Sequence, residues 1–148
     1  VNRATPQIRD WAERLVVYEA SLAASKSSNA ITTPSFSVAG KLRPHFATLM
    51  GSIGFRALLS RALSLAAAEV PWLRAVHVKA DSSFEGFDAS AAQLDPEEIA
   101  EGGTVLIAQL LGLLVAFIGE NLTLRLVGDV WPELALDGRD LGAGANNE

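Results

Sequence analysis

Apolar and polar positions along this chain fall into blocks of different period, and each block predicts an element. In the first, Ile8, Trp11, Leu15, Tyr18 and Leu22 recur at alternating spacings of three and four, with Arg9, Glu13 and Arg14 on other faces. This is the stripe of an amphipathic helix. Thr5 offers an N-cap and Pro6 suits the first helical position. The stripe has two uses, packing on its own domain or pairing with a partner as a coiled-coil arm. Two heptads are short for a coiled coil, which favours the first. The period then lapses. Ser25-Lys26-Ser27-Ser28-Asn29 and Thr32-Thr33-Pro34-Ser35 supply turn formers, so residues 25–40 read as a flexible linker.

From Pro44 to Glu69 one long apolar helix is predicted, ended by Pro71. Thr48, Ser52, Arg56, Ser60 and Ser64 form a single polar row at i+4 spacing, and nearly everything else is apolar or small. So narrow a polar strip implies a mostly buried helix. Ala47, Gly51, Gly54 and Ala57 form a small-residue strip, whose two glycines mean either close helix packing or a kink, and close packing is the preferred reading. The period falls to two in Ala75-Val76-His77-Val78-Lys79. With a turn at Asp81-Ser82-Ser83 and then Phe84-Glu85-Gly86-Phe87, the segment near 74–87 reads as a short β-hairpin or an extended loop. A lone hairpin is marginal, so it should lie against the helices.

Asp95-Pro96-Glu97-Glu98 has the form of a capping box at a helix start, with its acids at the positive end of the helix. Gly102-Gly103 either interrupts this helix or shifts its start. Thr104–Gly119 carries no charge, and Ala108, Gly112 and Ala116 give it a second small-residue face. Beyond Gly119 the helical rows continue, with Asn121, Arg125 and Asp129 on one and Leu122, Leu126 and Val130 on another. The helix is therefore expected to run on to Trp131, where Pro132 stops it. Residues 133–148 read as a frayed tail, with Leu134, Leu136 and Leu141 as anchors. The fold expected is mainly α, a single domain over 1–148. It is a bundle of four or five helices around two buried apolar ones, with the short β-hairpin.

Composition removes several functions. Apolar residues make up 49% and charged residues 20%, which excludes a disordered chain. Cysteine is absent, so disulfides, thiol catalysis and thiolate metal sites are excluded, and two histidines leave little for a metal centre. No cofactor is expected. A net charge of −5 argues against nucleic acid. Val1–Asp10 holds no apolar run of a signal peptide, so the cytoplasm is the expected location. A membrane span needs about 20 apolar residues. Thr104–Gly119 is shorter, and the other apolar helix contains Arg56 and Arg61, so core helices fit better than spans.

Catalytic groups are sparse. His77, Lys79 and Asp81 lie close in the alternating segment, but no nucleophile motif accompanies them, and a surface strand explains them. Glu97, Glu98 and Glu101 are explained by a solvated first turn. There is no phosphate loop, GxGxxG or metal-ligand spacing. Arg56, Arg61, Glu120, Asn121 and Arg125 stand in apolar segments, where a buried charge has to be paired. Arg56 and Arg61 are about 140° apart on a helix, so Arg61 is expected to meet Glu120 across a helix interface. The functional alternative for this set is an anion or small-acid pocket around Arg56 or Arg125.

The segments Leu49–Leu63, Glu69-Val70-Pro71-Trp72-Leu73 and Val115–Leu126 resemble those of a family of uncharacterised bacterial proteins, over roughly residues 41–132. The resemblance implies a bacterial, cytoplasmic protein and brings no activity, cofactor or site. The expectation from the residues is a non-catalytic interaction or regulatory module, self-associating as a homodimer or binding another protein, because an apolar excess in a small domain points to a partner surface. The expected contacts are Ile8, Trp11, Leu15, Tyr18 and Leu22, with Gly51, Gly54 and Gly112. Two alternatives are a membrane-active protein whose apolar hairpin inserts in lipid, and a small-molecule binder with an arginine-lined pocket.

Overall fold

The computed structural model describes residues 5–25, 34–80, 84–86, 94–132 and 134. Among them the chain is mainly helical. Helices α1 (Pro6–Ser25), α2 (Pro34–Met50) and α3 (Ser52–Glu69) lead to a 3-10 turn (Pro71–Ala75) and the strands β1 (His77–Val78) and β2 (Phe84–Glu85). Helices α4 (Pro96–Ile118) and α5 (Glu120–Val130) follow.

The core is built around α4. Its start is the capping box: the Asp95 carboxylate accepts from the Glu98 N–H at 2.9 Å, and the Glu98 carboxylate from the Asp95 N–H at 3.1 Å. Gly102 and Gly103 do not interrupt it. They are the points of closest approach. A Cβ on Gly102 would lie 2.5 Å from the Trp72 ring, and one on Gly103 would strike the buried side chain of Ser35. From Gly102 to Leu114 every residue but the half-buried Thr104 is buried. Helices α1, α2 and α3 supply the cover, and the α3–α4 contact is the most extensive. Helix α1 presents Ile8, Trp11, Ala12, Leu15 and Val16 to this core. Its start is capped by Thr5, whose hydroxyl accepts from the Ile8 N–H at 3.3 Å. The strands pair antiparallel, His77 opposite Glu85 and Val78 opposite Phe84, and a ring stack of Phe84 on Phe36 holds the hairpin to α2.

Three boundaries differ from the pattern reading. Residues 34–40, expected in the linker, form the first two turns of α2, because Val38, Ala39, Leu42 and Phe46 make a buried helical stripe. The rest of that segment, 26–33, lies outside the described residues. The long helix expected from Pro44 to Glu69 is two helices, broken at Gly51 with φ +85°. Pro44 stands inside α2, where the carbonyl that it leaves without a helical donor belongs to solvent-exposed Gly40. The expected run through to Trp131 is likewise broken, at Gly119 with φ +94°. Of the tail, Leu134 packs on the core as an anchor, while Leu136 and Leu141 lie outside the described residues.

Contacts define the two ends of the bundle. Arg9 of α1 meets Glu69 of α3 at 2.8 Å, and the Trp72 indole donates to the Glu98 carbonyl at 3.2 Å. The start of α1, the end of α3 and the start of α4 therefore share one end, and α3 and α4 run antiparallel. At 1.5 Å per residue α3 spans about 27 Å and α4 about 34 Å. Gly51 and Gly119 are therefore both towards the opposite end.

Glycine substitutions should separate by environment. Gly102→Ala is expected to lower stability by about 1–3 kcal/mol, because the Trp72 ring has to move. Gly40→Ala, with nothing within 4 Å of its Cβ, should raise it by about 0.5–1 kcal/mol. Urea unfolding of the two variants checks both signs.

Candidate functional site

The polar residues that the pattern singled out do not form a site. Arg56, Arg61, Glu120, Asn121 and Arg125 are all exposed, and among the described residues none is in an ion pair. The expected Arg61–Glu120 pair fails on geometry. Arg61 lies ten residues, about 15 Å, along α3 from the end where Glu120 begins α5. Of the expected polar row, Thr48, Ser52, Arg56 and Ser64 are exposed and Ser60 is half-buried.

The expected interface set is corrected too. Ile8, Trp11 and Leu15 are buried in the chain's own core, and Tyr18 and Leu22 are half-buried beside it. Gly112 is inside α4, and a Cβ on Gly54 would meet only the Met50 side chain of the neighbouring turn. Gly51 alone of this set is exposed. It serves a bend, not a close approach, with nothing within 4 Å of its Cβ position.

That bend marks the most unusual surface. Gly51 (φ +85°, ψ 153°) and Gly119 (φ +94°, ψ 155°) hold the same backbone conformation, one open to glycine and strained for other residues. Each lets one helix follow another with no loop between them. On the inner side the α2–α3 corner is closed by buried Phe46 and Phe55, whose rings stack at 6.4 Å. On the outer side, large apolar side chains face solvent. Ile53 is 79% exposed, Phe117 63% and Leu49 50%. Of the four large exposed hydrophobics among the described residues, three stand at this end, and Val17 is the fourth. His45 precedes Leu49 by one turn and Arg56 follows Ile53 by one turn, both exposed.

Beneath the corner lies a polar node that the pattern reading missed. Glu19 of α1 is 5% exposed, and one of its carboxylate oxygens accepts from the Trp131 indole N–H at 2.8 Å and from Lys41 Nζ at 2.6 Å. The node ties together α1, the helix that leads into the corner and the end of the helix that leads out. A signal for it existed: Glu19 follows Leu15 by four residues, in the buried phase of the α1 stripe. A second surface feature is an open groove of about 580 Å³ towards the other end, with Ala67 and Leu73 among its apolar lining and Ser60, Ser64, Arg74 and His77 as its polar groups. Ser60 and Ser64 are one turn apart on α3, so their hydroxyls and the two basic side chains could receive an anionic group. Among the described residues no group of three acidic or histidine side chains is placed to hold a metal ion.

Comparisons with protein-family models, curated proteins and solved structures find no match to this chain.

Two kinds of variant test the geometry of this end. Gly51→Ala and Gly119→Ala should each cost about 1–3 kcal/mol, from backbone strain alone. Glu19→Ala should cost about 2–3 kcal/mol by stranding the buried Trp131 N–H, whereas Glu19→Gln, which keeps an acceptor, should cost about half as much. Chemical denaturation followed by circular dichroism reads all four.

Proposed function

We propose that the protein is a non-catalytic docking module that uses the glycine-broken end of its bundle as its contact surface. The observation that carries this reading is that three of the four large exposed hydrophobics among the described residues, Leu49, Ile53 and Phe117, stand at one end of the bundle, Val17 being the fourth. Leaving an isoleucine and a phenylalanine in water forgoes roughly 1.5–3 kcal/mol each relative to full burial. Large exposed apolar side chains grouped at one end of a bundle are a usual mark of a contact site. The contact residues in this reading are those of the corner, in place of the α1 stripe.

The membrane-insertion alternative has one supporting fact. Helix α4 is long and apolar enough to cross a membrane by length and composition, but two thirds of its most apolar window is buried among the other helices. Insertion would have to unpack that core. The small-molecule alternative moves from Arg56 and Arg125 to the groove beside Arg74 and His77, where a ligand with an anionic head and an apolar body would fit the lining.

If the corner is a contact surface, its side chains contribute nothing to the fold of the free chain. Ile53→Ser and Phe117→Ser should therefore change the free energy of unfolding by less than about 0.5 kcal/mol in urea titrations. A loss of about 2 kcal/mol or more would show that these side chains are packed within the chain, and the docking reading would fall.

A further inference from the structure

Two polar features of the chain that the docking reading leaves unused meet in the groove beside α3. Ser60 and Ser64 carry the polar row of that helix into it. Arg74, in the 3-10 turn, and His77, at the start of β1, reach it from the segment that packs back on α3. This segment is braced. Leu73 and Val76 are buried in the core, and the end of β2 comes so close that a Cβ on Gly86 would strike the Ala75 carbonyl. The groove is therefore formed before any ligand arrives, as small-molecule sites usually are.

The lining selects a chemistry. Its floor is apolar, with Leu63, Ala67, Leu73 and Val76. Its polar groups are two hydroxyls, a guanidinium and an imidazole, all able to donate hydrogen bonds, and among the described lining residues none is acidic. Arg74 is in no ion pair among the described residues. The acidic groups nearby are engaged or set apart. Glu69 is held by Arg9 at 2.8 Å, Glu85 stands opposite His77 in the strand pair, and the acidic start of α4 is reached by Trp72; none of these lines the groove. With Glu85 opposite it, His77 serves as an N–H donor, and the unbalanced charge is that of Arg74. One guanidinium with flanking donors matches one carboxylate, which it grips through two parallel hydrogen bonds. The volume of about 580 Å³ lies within the range of about 300–1,000 Å³ of small-molecule sites, so an apolar body has room on the floor.

We propose that this groove binds a small monocarboxylic acid with an apolar chain or ring. Its carboxylate sits on Arg74, Ser60 and Ser64, and its body on Leu63, Ala67 and Leu73. The site is separate from the glycine-broken end and stands whether or not that end docks a partner.

The test is titration of the full chain with octanoate and with phenylbutyrate, followed by backbone amide shifts in NMR spectra. Octanol and acetate serve as the body and the head alone. The expected result is saturable shifts of the Ser60, Ser64, Arg74 and Val78 amides with at least one of the two acids, about tenfold tighter or more than with octanol or acetate. Arg74→Ala should weaken binding about tenfold. Ala68→Phe, which puts a ring into the groove from an exposed position, should weaken it about tenfold without moving the urea midpoint. Arg125→Ala, which removes the same charge from an exposed position on α5, should leave it unchanged. No saturable binding of either acid by folded protein overturns the assignment. So does binding of octanol as tight as that of octanoate, or binding indifferent to Arg74→Ala and Ala68→Phe. Shifts confined to the corner around Ile53 and Phe117 overturn it as well, because the acid would then sit at the other end.

Discussion

A helix that is apolar on all its sides has to be covered on all its sides, and most of this molecule is the cover for one such helix. Between Gly102 and Leu114, α4 has no face that water can occupy at low cost, so α1, α2 and α3 each lay a stripe against it. The tightest approaches fall where α4 has no side chain to offer. Trp72 lies on Gly102, and its indole reaches the Glu98 carbonyl in the first turn of the helix. Ser35 of α2 lies on Gly103 with a hydroxyl that has no partner, a small cost of packing two helices this closely. Where the cover stops, past Leu114, the surface changes at once. Ala116 and Phe117 are exposed, and the helix breaks two residues later.

The end of the bundle follows from that limit. A chain that must turn back without a loop needs a residue free of the ordinary steric limits, and Gly51 and Gly119 supply the same conformation at two places. Hydrogen bonds and rings fix the inner side of both bends. Phe46 stacks on Phe55 across the first, and the Thr123 hydroxyl donates to the Gly119 carbonyl within the first turn after the second, at 2.8 Å. Glu19 holds the next layer down by accepting from groups on two other segments, which relieves the cost of a buried carboxylate. The outward side has no such arrangement. Its apolar residues, Leu49, Ile53 and Phe117, face solvent.

Much of the fold was legible in the order of residues, and the reason is locality. The Thr5-Pro6 start, the capping box at Asp95, the stop before Pro71 and the pairing of 77–78 with 84–85 all depend on residues within a few positions of one another. The buried character of α4 followed from the lack of any charge in Thr104–Gly119. The breaks at Gly51 and Gly119 are not legible in the period, because the rows on either side of each remain helical and period alone does not distinguish a helix from two helices joined at a glycine.

The site was far less legible. Arg56, Arg61 and Arg125 lie in strongly apolar segments, and the segment alone argued for burial and pairing. Whether a row of a helix is buried depends on which other helix covers it, and that is set by contacts between residues far apart in sequence. The same reason hid Glu19, whose partners are 22 and 112 positions away. It also separated the exposed Ile53 and Phe117 from the apolar residues around them. The sequence by itself determined the starts of α1 and α4, the stop before Pro71, the hairpin and the buried run of α4, because backbone hydrogen bonding and side-chain period act over a turn or two. Only the tertiary structure decided which charges meet water and which apolar side chains remain uncovered, because burial is a property of the neighbours that folding brings together.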